Sequence, residues 1–412
     1  MTARRIVANL DAEDDLAATW AAERGLPHRR PAWSRQALAT ASAAGTLLRA
    51  LARDGDRLHL PAAIEPVRLA DVPGLPQVQI ESGPLPKLAP TEEVLAWCET
   101  VGVAALRRHG LAPRFPWDPA LPLHEALWRL PAAPPSAVAA ANHRGFCLAV
   151  AKDLGCALPG ACLVSSLAEL QSRIDEAPAG SPLAHAWIVK APFSAAGRSR
   201  YVERSGRLDP ANRRRIEGLF ARHGALLLEP WMERTADFGL AAILSADGVY
   251  VVGLHRQSVD LRGQFAGLEL GVEREDSAGL NGEERETLLR VVSAVGERLR
   301  GLGYLGPFGI DAWRYRRADG SEAFHPLGEI NARMTIGLLA RALVERLCGP
   351  LGVPADERVR LRFGRLPRDL EGLRPASLVP LCLPEDGGSA VWVESPCRAS
   401  ERVGTRDGAP TS

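Results

Sequence analysis

The chain has 412 residues, 50 of them basic and 49 acidic, for a formal net charge of +1. That length allows two or three domains and a sizeable core, while the even balance gives no bulk field for nucleic acid. No apolar run reaches about 18 residues, so no membrane span is expected.

Seven cysteines (Cys98, Cys147, Cys156, Cys162, Cys348, Cys382 and Cys397) are scattered, odd in number and without paired metal spacing. With no secretory leader legible, the expectation is a cytoplasmic protein with free thiols. The clusters Arg29-Arg30 and Arg213-Arg214-Arg215 read as solvated faces.

In chain order, Arg5–Asn9 reads as a short strand and Ala12–Arg24 as a helix. Proline-rich stretches at 61–90 and 112–135 make this first region loop-heavy, and Leu130 to Ser136 reads as a linker. Asn142, His143, Arg144 and Gly145 then lead into a helix over Phe146–Asp153.

Ala186 to Pro192 is a short apolar strand that ends in Lys190 and runs into a loop of small residues containing Ser194, Gly197 and Ser199. A lysine leaving a buried strand beside such a loop suits phosphate, with charge from the ammonium and donors from the loop amides. The chain has only three lysines (Lys87, Lys152, Lys190) and five asparagines. That scarcity gives Lys190, and later Asn331, a weight that another arginine would lack.

Ala225 to Met232 is a buried strand whose fifth residue is Glu229, and 233–244 is a strand that opens on acids, among them Asp237. An adenine ring needs backbone donors and acceptors between apolar walls, and a ribose diol pairs with a carboxylate. Glu229, Met232 and Asp237 offer these, or else they are plain strand ends.

Gly306 to Trp313 and Ala323 to Arg333 form a hairpin pattern around the turn Arg317-Ala318-Asp319-Gly320. Glu329 and Asn331 face the same way, roughly 6.5 Å apart along the strand. In the right register Asp311 joins them from the partner strand. Two carboxylates and an amide are hard oxygen ligands, suited to Mg²⁺ (or Mn²⁺) that also touches phosphates; the bland alternative is a pair of solvated acids. Beyond Arg346, 376–383 and 390–394 read as strands, and the last dozen residues as a disordered tail. His143, His255 and His325 read as structural, and Trp117, Trp128, Trp187 and Trp313 as core or pocket wall. Ser194 and Ser199 have no base beside them.

This order of strand-lysine, small-residue loop, Glu-Pro-Trp-Met, Gly-Ile-Asp and Glu-Ile-Asn-Ala-Arg resembles the ATP-grasp superfamily over about 138–346. It looks most like the carboxylate–amine ligases, such as D-alanine–D-alanine ligase. The resemblance implies an α/β chain with an ATP-grasp fold, two α+β subdomains sandwiching ATP. It also implies a small α/β domain at 1–135, the nucleotide and metal domain at 136–348, and a C-terminal extension at 349–412. It places ATP phosphates on Lys190, Arg144, Ser194 and Gly197, adenine on Glu229 and Met232, ribose on Asp237, and Mg²⁺ on Asp311, Glu329 and Asn331.

The chain departs from that pattern in three ways. Its phosphate loop has one glycine, Gly197; Arg144 stands where lysine is commoner; and Gly309 stands where those ligases carry an arginine that touches the transferred phosphate. Arg333 and Arg256 are then the candidates to steady an acyl phosphate. The implied activity joins a small-molecule carboxylate to an amine with ADP and phosphate released. An ATP-grasp kinase and a non-catalytic ATP-binding protein are the rivals, and a homodimer is left open.

Overall fold

The computed structural model describes residues 4–26, 28, 33–65, 68–85, 92–107, 117–194, 199–259, 265–364, 378–383 and 390–394. They form three sheets, taken up in turn along the chain.

The first sheet is parallel: β1 (Arg4–Val7), β2 (Arg57–Leu60), β3 (Gln79–Ser82) and β4 (Glu93–Ala96), in the order β3-β2-β1-β4. Its first crossover contains α1 (Ala12–Glu23) and α2 (Arg35–Gly45), the latter started by Ser34, whose Oγ accepts from the Ala37 amide at 3.1 Å. After β4 come α3 (Val101–Arg107), α4 (Leu123–Ala126) and α5 (Pro135–Asn142). The expected linker at 130–136 thus ends in a helix, because Pro135 at its first position has the φ a helix needs and lacks only an amide that would go unpaired there. One residue, His143, separates α5 from α6 (Arg144–Asp153).

The second sheet is antiparallel, with β5 (Cys162–Val164), β6 (Trp187–Lys190), β7 (Arg200–Glu203) and β8 (Leu226–Pro230) in the order β5-β8-β6-β7. Strand alternation turns Trp187, Val189, Leu226 and Leu228 onto α7 (Leu167–Asp175) and α8 (Arg213–His223), where they build a separate core. The same alternation turns Lys190, Leu227 and Glu229 the other way.

The third sheet has eight antiparallel strands: β9 (Glu233–Leu244), β10 (Val249–Val259), β11 (Phe265–Gly271), β12 (Gly306–Arg316), β13 (Glu322–Asn331), β14 (Arg358–Gly364), β15 (Leu378–Cys382) and β16 (Ala390–Glu394). The order is β13-β12-β9-β10-β11-β14-β16-β15. On one face lies α9 (Gly282–Gly301), opened by a capping box between Asn281 and Glu284 and tied to β12 by Arg314 on Glu284. On the other lies α10 (Ile336–Leu351), whose Gly337 sits against the His255 ring and whose Arg341 sits against Gly253.

The C-terminal extension is not set apart, because β14, β15 and β16 complete this sheet beyond β11. Its last strand edge also touches the connection between β2 and β3, where the Leu383 amide donates to the Arg68 carbonyl at 2.8 Å. The expected tail lies outside the described residues. No helix among the described residues is long and apolar enough to cross a membrane, and the six cysteines described are free thiols.

Candidate active site

The β12–β13 ladder sets Asp311 directly opposite Glu329, with Gly309 opposite Asn331. Cross-strand partners share a face, so the two carboxylates oppose each other at close range, an unfavourable pairing when both are charged. Burial lifts the Asp311 carboxyl to about 6, and the Glu329 charge adds to the lift. Asp311 Oδ1 accepts from Gln257 Nε2 at 2.8 Å, and Oδ2 faces Asn331 Nδ2 at 3.4 Å; a half-turn of that amide presents its oxygen instead. Among the described residues no three His, Cys, Asp or Glu side chains converge as a metal set. The cluster offers two carboxylates and one amide. A buried acid held against a second acid is what a divalent cation relieves, and all-oxygen chemistry fits Mg²⁺.

Arg144, the first residue of α6, joins these acids to the strand-lysine segment. Its guanidinium donates to Glu329 Oε1 at 2.9 Å, Ser194 Oγ at 2.7 Å, the Ser194 carbonyl at 2.9 Å and the Ala191 carbonyl at 2.5 Å. His143 caps the same helix, its Nδ1 accepting from the Gly145 amide at 3.0 Å, and its ring stacks on Trp20 of α1 at 4.3 Å. Burial, with Arg24 and Arg144 adding to it, pulls the His143 pKa down to about 4, so the ring is a neutral cap. Gly197 lies outside the described residues.

Lys190 and Glu229 share the cleft face of the second sheet and form an ion pair at 2.5 Å. Burial by itself raises the Glu229 carboxyl, but the Lys190 charge and hydrogen bond outweigh it and hold it below its usual range. Across the cleft, Trp313 packs with Leu227, Leu148, Leu158 and Ala161, with Met232 at the edge of the group. The Arg234 guanidinium lies over the Trp313 ring, 3.7 Å from its centroid, and pairs with Asp237 at 2.9 Å. His325 flanks the same indole at 4.4 Å.

The indole needs Gly328: a Cβ there would lie 1.6 Å from Trp313 Cζ3. Gly328→Ala is expected to destabilise the fold by about 1–3 kcal/mol through overpacking, read as a lower denaturation midpoint; an unchanged midpoint would show that the indole does not need the glycine.

Two solved structures superpose on nearly the whole chain. One is an N5-carboxyaminoimidazole ribonucleotide synthetase in its ADP complex, 12% identical, TM-score 0.52, covering 96% of this chain and 92% of that one. The other is the N5-carboxyaminoimidazole synthetase from Staphylococcus aureus, 9% identical, TM-score 0.52, covering 96% and 93%. The chain has the ATP-grasp fold. No family model and no curated protein matches it, so the likeness is one of architecture.

Within this ATP-grasp fold the two arginine candidates separate. Arg256 does not join the cluster: it pairs with Phe238 across β10 and β9, and Phe238 pairs with Ala312, which puts Arg256 on the α9 face, exposed, opposite to Asp311. Arg333 lies near the acids but is turned to α1, donating to Glu13 Oε1 at 2.9 Å. Burial works against its charge, and the Glu13 carboxylate outweighs burial, so the guanidinium stays protonated. An arginine at 309 would have no room, because a Cβ there meets Thr335 Cγ2 at 2.8 Å and the Leu240 carbonyl at 3.1 Å.

Gln257 and Asn142 are site residues that the sequence pattern does not reveal. Asn142 holds the Asn331–Arg333 segment by a two-point amide clamp, donating to the Ala332 carbonyl and accepting from the Ala332 amide, both at 3.1 Å. The scarcity of asparagine marks Asn142 in retrospect. Gln257 carries no such mark.

Proposed function

We propose that this protein is an ATP-dependent ligase that joins a small-molecule carboxylate to an amine. The carboxylate takes the γ-phosphoryl group of ATP to give an acyl phosphate and ADP, and the amine then displaces phosphate to leave an amide. The observation that carries this reading is the reach of Arg144, which ties the segment after Lys190 to Glu329 and so makes one cleft of two motifs 139 residues apart.

In this reading Asp311, Glu329 and Asn331 hold Mg²⁺, which when bound neutralises phosphate charge. Lys190, Arg144 and Ser194, with the loop around Gly197, receive the phosphates, while Glu229 and the backbone at Met232 meet adenine, with Trp313 as a wall. Asp237 receives the ribose, and Arg333 steadies the phosphate being transferred. Residues 1–135 help to hold the acceptor. The protein's share of the rate is positioning and charge neutralisation, since the transferring phosphoryl group needs little covalent help.

Purified protein with ATP, Mg²⁺ and panels of acids and amines tests this: phosphate release that needs both an acid and an amine is the expected result. Release with an acid alone, leaving a stable phosphorylated product, makes it a kinase. No release under any combination makes it a binding protein. Base choice gives a separate check. Contacts at the adenine amino edge predict stronger thermal protection by ATP than by GTP at matched concentrations, and equal protection removes Glu229 and Met232 from the base site.

A further inference from the structure

Across the third sheet Asp311 stands opposite Gly239 of β9, and Gly239 stands opposite His255 of β10. Gln257 lies two residues beyond His255 and so shares its face of the sheet. Two strand spacings, roughly 10 Å, separate β10 from β12. Gln257 crosses that distance, and its Nε2 donates to Asp311 Oδ1 at 2.8 Å.

The crossing needs Gly239. A Cβ at that position would lie 2.9 Å from Gln257 Nε2 and would run into the His255 ring. The buried ring is met from α10 as well, where a Cβ on Gly337 would also strike it. Two glycines on separate elements thus make the slot for His255, and the imidazole walls the lane along which Gln257 reaches Asp311.

The result is a carboxylate with two unlike oxygens. Oδ1 is committed to the Gln257 amide, while Oδ2 is the oxygen turned to Asn331. Glu329 stands opposite Asp311 on the far side of the lane. To grip a cation with both oxygens, Asp311 would have to turn and lose the Gln257 bond.

We propose that Gln257 is a positioning residue that restricts Asp311 to one-oxygen ligation and so favours Mg²⁺ over Ca²⁺. The inference rests on the reading of Asp311, Glu329 and Asn331 as the metal set. Mg²⁺ demands near-octahedral geometry and keeps several waters, whereas Ca²⁺ takes about six to eight oxygens and accepts carboxylates through both of theirs. A site of one-oxygen carboxylates suits the smaller ion. Freeing Oδ1 adds a ligand that the larger ion uses and the smaller one does not.

Thermal melts over a Mg²⁺ series and a Ca²⁺ series, with a saturating non-hydrolysable ATP analogue, give the half-saturating concentration of each ion. Wild type is expected to saturate at lower Mg²⁺ than Ca²⁺. Gln257→Met keeps the length and removes the donor, and should lower the Ca²⁺ value relative to the Mg²⁺ value by at least about fivefold, the scale of one net hydrogen bond. Gln257→Asn stays polar but is too short to cross β9, so the same shift is expected there. A wild-type preference for Ca²⁺, an unchanged ratio in either variant, or equal weakening of both ions overturns the proposal. If neither ion shifts the melt of wild type, the metal reading itself fails first, and Gln257 has no ligand to position.

Discussion

Lys190→Met is expected to lower affinity for a non-hydrolysable ATP analogue with Mg²⁺ by at least about tenfold, the worth of one charge-assisted phosphate contact. The same change also weakens the fold. Glu229 is 7% exposed and pairs with Lys190 at 2.5 Å, and stranding one member of a buried pair costs about 3–5 kcal/mol. The two effects separate in the double variant Lys190→Met/Glu229→Gln, where a neutral amide replaces the stranded charge. Its melting temperature should recover most of the loss while the affinity stays low, and Glu229→Gln alone controls for any effect on adenine binding. Calorimetric titration reads the affinity, and scanning calorimetry reads the stability. Restored stability together with wild-type affinity in the double variant would remove Lys190 from the phosphates, and the placements at Glu229 and Asp237 would lose their anchor.

The parts of this site that can be read in the sequence are those set by short-range rules. Strand alternation puts Asp311, Glu329 and Asn331 on one face of the hairpin, so their shared face follows from the local pattern, while the two-residue register shift between Asp311 and Trp313 that sets Asp311 opposite Glu329 does not. A lysine at the end of an apolar strand is equally local, and β6 ends at Lys190. The parts that stay hidden depend on chain crossing. Arg144 meets Glu329 across 185 positions, and Arg333 meets Glu13 across 320.

The position of Arg256 is hidden for a related reason. Which face it occupies depends on two ladder registers, β10 on β9 and β9 on β12, and each contains an irregularity. β15 and β16 are legible as strands in the pattern, but β14 is not, and the sheet all three join is decided by β11, far upstream. The pairing of Lys190 with Glu229 is hidden too, since the local pattern points one residue to phosphate and the other to adenine, and their diagonal contact needs β6 beside β8.

Glu329→Gln is expected to reduce kcat by about a hundredfold or more, the scale of losing one preorganised group that stabilises transferring charge. The substitution keeps the shape and leaves an amide oxygen to accept from Arg144, which now donates to Oε1 at 2.9 Å. The fold should therefore hold. It also removes the charge that faces Asp311 across the ladder, where burial and that same charge lift the Asp311 carboxyl to about 6. Stability should consequently stay level or rise while activity falls, an opposition that a merely structural carboxylate would not produce. A divalent-ion titration sharpens the test. With one anionic ligand gone, the Mg²⁺ concentration needed for half-maximal activity should move upward, and Asn331→Asp, which adds a charge beside the same ligands, should move it downward. The measurements are steady-state kinetics over a Mg²⁺ series and a thermal melt of each variant. Wild-type kcat in Glu329→Gln, or a melting temperature that falls in step with activity, would show that Glu329 serves the fold through Arg144 and not the metal.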